Sequence, residues 1–359
     1  MLYNIIVLLC KSEGEYVVMN AKDLIFDLIS STGVSGDEFP ASETAEKELC
    51  KFCETEIDHF GNVIGCRGKI DDKKATLLLD AHIDEIGFIV TYITDDGFLK
   101  VSNCGGIDRR LLLAQQVTIF GKEKITGIIT STPPHLEEDD KKVPKIDDIY
   151  IDTGLSKEEC EKIVSLGDRV IIANKPISLQ GDRISGKSLD DRCGVAVILR
   201  ALELVKDKNL PVNVVVCFSA QEETGERGAK ISAFKIQPDF AVAIDVSFAL
   251  TADDKEYKCG KLGQGPMIGI APSLSKEFSN RLVDLAKSEE IPFQLEVMNG
   301  ETGTNADCIG VTGKGVKTVT LSVPLKYMHT PVEVISIEDI ENSAKLVAKL
   351  LERGVYADA

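Results

Sequence analysis

Val214-Val-Val-Cys-Phe-Ser-Ala-Gln-Glu-Glu223 is the stretch that decides the fold. Its opening residues are apolar without alternation, the pattern of a strand covered on both faces. Two carboxylates stand side by side where the run stops. Neighbouring side chains leave a strand in opposite directions, so Glu222 and Glu223 are expected to face different spaces and to take different tasks. Comparable strands are expected at Ala75–Ala81, 239–246, 266–271 and 316–323. Between and after them lie helical patterns over 191–206, 275–289 and 336–353; the first has apolar Val195, Val197, Ile198, Ala201, Leu202 and Val205. Strands alternating with helices predict a doubly wound α/β domain built on a mixed sheet.

That rhythm is interrupted. Residues 21–57 read as helical around a Ser-Thr-Gly-Val-Ser-Gly loop at 31–36. From about 87 to 180 come short β-like runs at Phe88–Ile93, Phe98–Val101, Gln116–Phe120, Ile125–Ile129 and Arg169–Ala173, separated by Gly, Asp and Pro. The expectation is a small, barrel-like β-rich domain at 87–180, inserted into a discontinuous α/β domain of residues 1–86 and 181–359. Within it, Pro133–Lys142 reads as an exposed polar loop. The apolar start, Met1–Cys10, lacks the basic beginning and the cleavage site of a signal peptide and is too short to span a bilayer.

Composition narrows the function. The 359 residues exceed what one core holds, and 43% are hydrophobic, enough for two. Acids outnumber bases 58 to 41, a net charge of −17, which argues against nucleic acid or an anionic membrane as partner. Ten cysteines without a regular framework suit a reduced, cytoplasmic chain. Cys50-Lys-Phe-Cys53 has no second pair to complete a zinc site and reads as incidental.

With only four histidines in the chain, their placement is informative. His82 follows the first strand, and His329 follows the last. Asp190 precedes a helix, Glu222-Glu223 end the quoted strand, and Asp245 ends Phe240–Ile244. Side chains at the carboxyl ends of strands converge in open α/β sheets. Two imidazoles and three carboxylates are too many for one tetrahedral zinc with an open position. They suit two divalent ions about 3.5–4 Å apart that share a carboxylate and a water. Asp190, short and central, is the expected bridge; His82 and Asp245 complete one set of ligands, Glu223 and His329 the other. Asp84 would accept the ring N–H of His82 and fix its tautomer. Glu222, left without an ion, is the expected general base.

At these residues the chain resembles the tetrahedral aminopeptidases, a group of two-metal peptidases that includes the glutamyl aminopeptidases and some members labelled endoglucanase. The resemblance rests on His82-Ile-Asp-Glu-Ile-Gly87, Leu189-Asp-Asp-Arg-Cys-Gly194, Gln221-Glu-Glu-Thr-Gly-Glu-Arg-Gly-Ala229 and Tyr327-Met-His-Thr-Pro-Val-Glu333, in order, and covers about 20–355. It implies the same roles for His82, Asp84, Asp190, Glu222, Glu223, Asp245 and His329, and a cis Asp190–Asp191 peptide. It also implies dimers formed through the inserted domain, stacking into a twelve-subunit tetrahedron. Ile83 and Thr330 replace the usual Met and Ser, neither of them a ligand.

The activity so implied is removal of N-terminal residues from short peptides, with zinc or cobalt, or else manganese, as the metal. A β-glucanase would need two carboxylates and no histidines; a non-catalytic relic would have lost ligands. The pocket for the substrate's first side chain is expected from Met298–Asp307 and Lys261–Pro266, where Lys261 alone would hint at acidic substrates.

Overall fold

The structure, a computed structural model, describes residues 20–131, 143–252 and 254–356. The expectations for Met1–Cys10 and Pro133–Lys142 lie outside them. Helix α1 (Ala21–Ser30) is capped by Asn20, whose side chain accepts the Lys22 N–H, and α2 (Phe39–Leu49) follows. The helical reading of 21–57 ends there. Residues 54–57 form an edge strand instead, β1 (Glu54–Ile57), paired antiparallel with β2 (Val63–Cys66). Cys50 caps the end of α2, and Cys53 is buried under the turn; burial pushes its thiol up to about 12, the environment of an inert packing residue.

Strand β3 (Thr76–His82) enters the sheet, and the chain then leaves it. Strands β4 (Gly87–Ile93), β5 (Leu99–Cys104), β6 (Gln116–Phe120), β7 (Lys124–Ile129), β8 (Tyr150–Asp152) and β9 (Arg169–Ile172) close an antiparallel barrel in the order β4-β5-β8-β7-β6-β9. Helix α3 (Lys157–Ile163), between β8 and β9, starts on a capping box of Ser156 and Glu159. The barrel has its own core, with Phe88, Leu99, Val117, Ile119, Ile151 and Val170 all fully buried.

The chain returns through β10 (Ile177–Ser178) and β11 (Arg183–Gly186) to α4 (Leu189–Leu204), β12 (Asn213–Ser219), α5 (Arg227–Ile236) and β13 (Phe240–Phe248). Next come β14 (Met267–Ile270), α6 (Lys276–Ser288), β15 (Gln294–Val297), α7 (Ala306–Gly310), β16 (Lys317–Leu325), β17 (Glu333–Ser336) and α8 (Ile337–Arg353). The large sheet runs β1-β2-β12-β3-β13-β16-β14-β15, with β12, β3, β13 and β16 mutually parallel at its centre. Every residue of β12 is buried, as its unbroken apolar run requires. Helix α4 lies against β3 and β13 on one face, between α1 and α8. Asp190 and Asp191 have non-helical φ/ψ, so the regular helix begins beyond them, and their shared peptide is cis. The sequence reading placed most barrel and central strands to within a few residues, but passed over the edge strands β1, β2 and β15 and the short helices α3 and α5.

Candidate metal centre

The carboxyl ends of β3, β12, β13 and β16 meet the start of α4, and the five residues singled out as ligands come together there. Groups of donors lie within 4.8 Å of one another: His82 with Asp190 and Asp245, and Asp190 with Glu223 and His329. Asp190 belongs to both. Its Oδ1 is 3.0 Å from His82 Nε2 and its Oδ2 is 3.4 Å from His329 Nε2, so one carboxylate faces both imidazoles. Asp245 Oδ1 is 4.0 Å from His82 Nε2, and Glu223 Oε1 is 3.5 Å from His329 Nε2. Glu222 Oε2 is 3.9 Å from His82 Nε2, and Glu222 makes a third group of close donors with His82 and Glu223.

The different directions of Glu222 and Glu223 do not arise from the pleat. Strand β12 stops at Ser219, and Gln221 takes a left-handed φ of 56° that turns the chain before the pair. The turn is held by Asp84, whose Oδ1 and Oδ2 accept the backbone N–H groups of Glu222 (2.9 Å) and Glu223 (3.2 Å). Ser35 donates its hydroxyl to the same carboxylate. His82 Nδ1 faces the backbone carbonyl of Asp84 at 3.2 Å and its carboxylate at 3.5 Å, so Asp84 fixes the ring while aligning the two glutamates.

Two supports escaped the sequence reading. Glu333, 2% exposed, accepts the Asp190 N–H with one oxygen (3.2 Å) and the His329 N–H with the other (3.1 Å). Asp191 accepts the His82 N–H at 3.1 Å and the Gly194 N–H at 3.0 Å. Both sit inside the quoted motifs, but they act on backbone amides, which leave no mark on side-chain spacing. Ser188 (φ 51°), Tyr327 (φ 61°) and His329 (φ 60°) also hold left-handed backbone beside the donors, a conformation non-glycine residues adopt at some cost.

Electrostatically the cluster calls for cations. Asp190, Glu222, Glu223 and Asp245 crowd together, and among the described residues their only ion-pair partners are histidines. Burial and mutual repulsion push Glu223 and Asp245 well up, and burial carries Glu222 to about 7. Against burial, hydrogen bonds from His329 and His82 hold Asp190 low. Buried like charges are costly unless an opposite charge joins them, and imidazole with carboxylate is a donor set for divalent transition metals. The residues present therefore fit a metal centre.

The cluster forms the floor of a cavity of about 1050 Å³. Met298, Asn299 and Glu301–Thr304 line it, as the sequence reading expects for that loop, but Lys261–Pro266 do not. Lys261 pairs instead with Glu256, and the wall on that side is Tyr257–Cys259 and Met267.

The family model of the M42 glutamyl aminopeptidases matches residues 61–346. The chain belongs to this family. The M42 assignment makes it a metal-dependent peptide hydrolase. Lysyl aminopeptidase of Pyrococcus furiosus is 33% identical over 338 residues, spanning 92% of this chain and 96% of the relative. Aminopeptidase APDkam598 from the archaeon Desulfurococcus kamchatkensis superposes with a TM-score of 0.87 at 36% identity, covering 93% and 95% of the two chains. The TET1 peptidase of Pyrococcus horikoshii, which can assemble into a tetrahedron or a large octahedral shell, superposes with a TM-score of 0.82 at 34% identity over 93% and 99%. The M42 fold thus extends over nearly all of the described chain, barrel included.

Proposed function

We propose that this M42 peptidase is an aminopeptidase that removes N-terminal residues from short peptides at a centre of two divalent ions. The observation that carries the proposal is that Asp190 belongs both to the donor set with His82 and Asp245 and to the set with Glu223 and His329, while Glu222 reaches only the set it makes with His82 and Glu223. His82, Asp245 and Asp190 would hold one ion, and Glu223, His329 and Asp190 the other; zinc, cobalt and manganese all suit these donors. Bound there, the ions supply Lewis-acid polarisation of the scissile carbonyl and a water of lowered pKa. Glu222 then takes the proton from the attacking water and returns it to the departing amide nitrogen. A carboxyl lifted by burial to about 7 suits both halves of that exchange. Asp84 keeps Glu222 aimed by holding its backbone N–H. Loss of a β-glucanase alternative follows from chemistry, since sugar hydrolysis has no use for the imidazoles that frame Asp190. The complete donor set likewise disfavours a relic.

We also propose that the inserted domain at 87–180 joins subunits into dimers and that the dimers stack into a twelve-subunit tetrahedron; the TET1 peptidase of Pyrococcus horikoshii can assemble into a tetrahedron or a large octahedral shell. The setting of this chain is proposed to be the cytoplasm, where buried thiols such as those of Cys53, Cys160, Cys193 and Cys217 stay reduced; no described helix is long and apolar enough to cross a membrane.

The test is Glu222→Gln measured with metal content. The variant should keep its ions and lose on the order of 10²–10⁴ in turnover of an aminoacyl nitroanilide. Chelation should abolish native activity, and returning the metal should restore it. Native-level turnover by the variant would remove Glu222 from its role, and full activity in excess chelator would remove the metals.

A further inference from the structure

The family's name points to glutamyl substrates and one relative's name to lysyl substrates, so the preferred N-terminal residue must be sought in the cavity wall. Away from the donor cluster the wall carries Glu296, Glu301 and Lys258 as charged groups, and the last two are exposed at the mouth. Glu296 is different. It projects from β15 and is half-buried, with Oε2 accepting the Ser322 hydroxyl at 2.8 Å and Oε1 accepting the Ser247 hydroxyl. Among the described residues no lysine or arginine pairs with it.

The sheet explains why this carboxylate reaches the site. Ser322 on β16 lies opposite Asp245 on β13, and Ser247 is two residues beyond Asp245 on the same face. Glu296 is paired with Gly269 on the intervening strand β14. A Cβ at Gly269 would lie 1.9 Å from Thr320 Oγ1, so the missing side chain makes room for Thr320 on β16, while the Glu296 carboxylate reaches past β14 to the Ser322 and Ser247 hydroxyls. Opposed strand residues are about 5 Å apart, which sets the Glu296 carboxylate one or two strand spacings from Asp245. A lysine stem spans roughly 6 Å from Cα to its ammonium. Met267 and Met298 line the interval with thioether and methylene surface suited to such a stem.

We infer that Glu296 is the specificity-determining residue of this pocket and that the enzyme selects peptides beginning with lysine or arginine. The inference rests on the aminopeptidase reading above. The α-amino end of the substrate would sit at the metal centre, the stem would cross the two methionines, and the terminal cation would meet a carboxylate already oriented by two hydroxyls. Acidic N-terminal residues would face that carboxylate at close range and be rejected.

The metal-loaded full chain should be assayed on 4-nitroanilides of lysine, arginine, norleucine and glutamate. Norleucine matches the lysine stem without its charge. Lysine should exceed norleucine in kcat/KM by roughly tenfold to a hundredfold, the range of a charge-assisted contact, and glutamate should be poorest. Glu296→Gln should bring the lysine-to-norleucine ratio to within about threefold of unity, and Glu296→Arg should favour glutamate over lysine. Norleucine equal to or better than lysine in the native enzyme would overturn the inference, whatever the variants do. So would a Glu296→Gln enzyme that keeps the native ratio. No turnover of any member would instead sink the aminopeptidase reading itself, so the two failures are distinguishable.

Discussion

Glu333 offers the most demanding test of how the centre is held. Its carboxylate joins the irregular start of α4 to the loop after β16 by accepting the N–H groups of Asp190 and His329. Glu333→Ala removes both acceptors and leaves the buried Asp190 amide and the half-buried His329 amide without them. Hydrogen bonds to a charged acceptor are worth about 1.5–3 kcal/mol each, which puts the loss of folding stability at about 3–6 kcal/mol. Part of this returns, because burial and the nearby Asp190 make the ionised Glu333 costly. Glu333→Gln keeps one acceptor and sheds the charge, so its loss should be smaller, about 1–3 kcal/mol. Displaced supports of metal ligands typically cost 10–100-fold in metal affinity, and Asp190 and His329 would both be displaced. Urea unfolding of the metal-free variants, with equilibrium dialysis against zinc or cobalt, reads the two effects separately. The expected order is native, then Gln, then Ala, in both measurements. A Glu333→Ala protein with native stability and native metal affinity would refute the idea that this carboxylate ties the two segments together.

Other consequences can be checked more quickly. Gly228 lies where α5 approaches β12, and a Cβ there would come within 2.1 Å of Asn62 Oδ1 and 2.4 Å of the Ala220 carbonyl; Gly228→Ala should cost about 3 kcal/mol or more in thermal or urea unfolding, by forced displacement of packed backbone, and should lower activity by shifting the Glu222–Glu223 turn. Asp339 accepts the N–H groups of Gly263 and Gly265, each at 2.7 Å, yet burial lifts its carboxyl from 3.8 to about 6. A folded pKa above the unfolded one favours the native state at low pH, so this group's contribution should be complete below about pH 4 and vanish as pH rises through 6. The stability of native enzyme relative to Asp339→Asn should therefore fall by on the order of 2–3 kcal/mol across that window; a difference independent of pH would show that the two amides outweigh burial. Leu79→Ala, at a fully buried position of β3, should cost about 2–5 kcal/mol without altering the lysine-to-norleucine ratio.

What the sequence disclosed follows from how each residue acts. His82, Glu223, Asp245 and His329 were visible because they end or follow apolar runs, and Asp190 because it opens a helical pattern, places that a linear pattern marks. The central strands were visible because both faces are covered, and the barrel strands because Gly, Asp and Pro punctuate them. Glu333 and Asp191 were hidden because their partners are amides, which every residue carries. Glu296 was hidden for another reason: its place beside Asp245 depends on β14 and β15 joining β16 out of chain order. Lys261 misled because sequence proximity to the pocket is not placement on its wall. Residues 54–57 were misread as helix because the apolar spacing of α2 carries on through Phe52, and pairing with β2 decides the matter instead.

The dispersal of the donors has a consequence for biosynthesis. His82 emerges from the ribosome before the barrel, and His329 only after β16 has been made. A nascent chain therefore carries at most a partial set of ligands, and Glu222 has no complete partner set to work with until translation is nearly over. Hydrolysis that called on the whole donor set would therefore be withheld from neighbouring polypeptides until the last segment of the chain had been made.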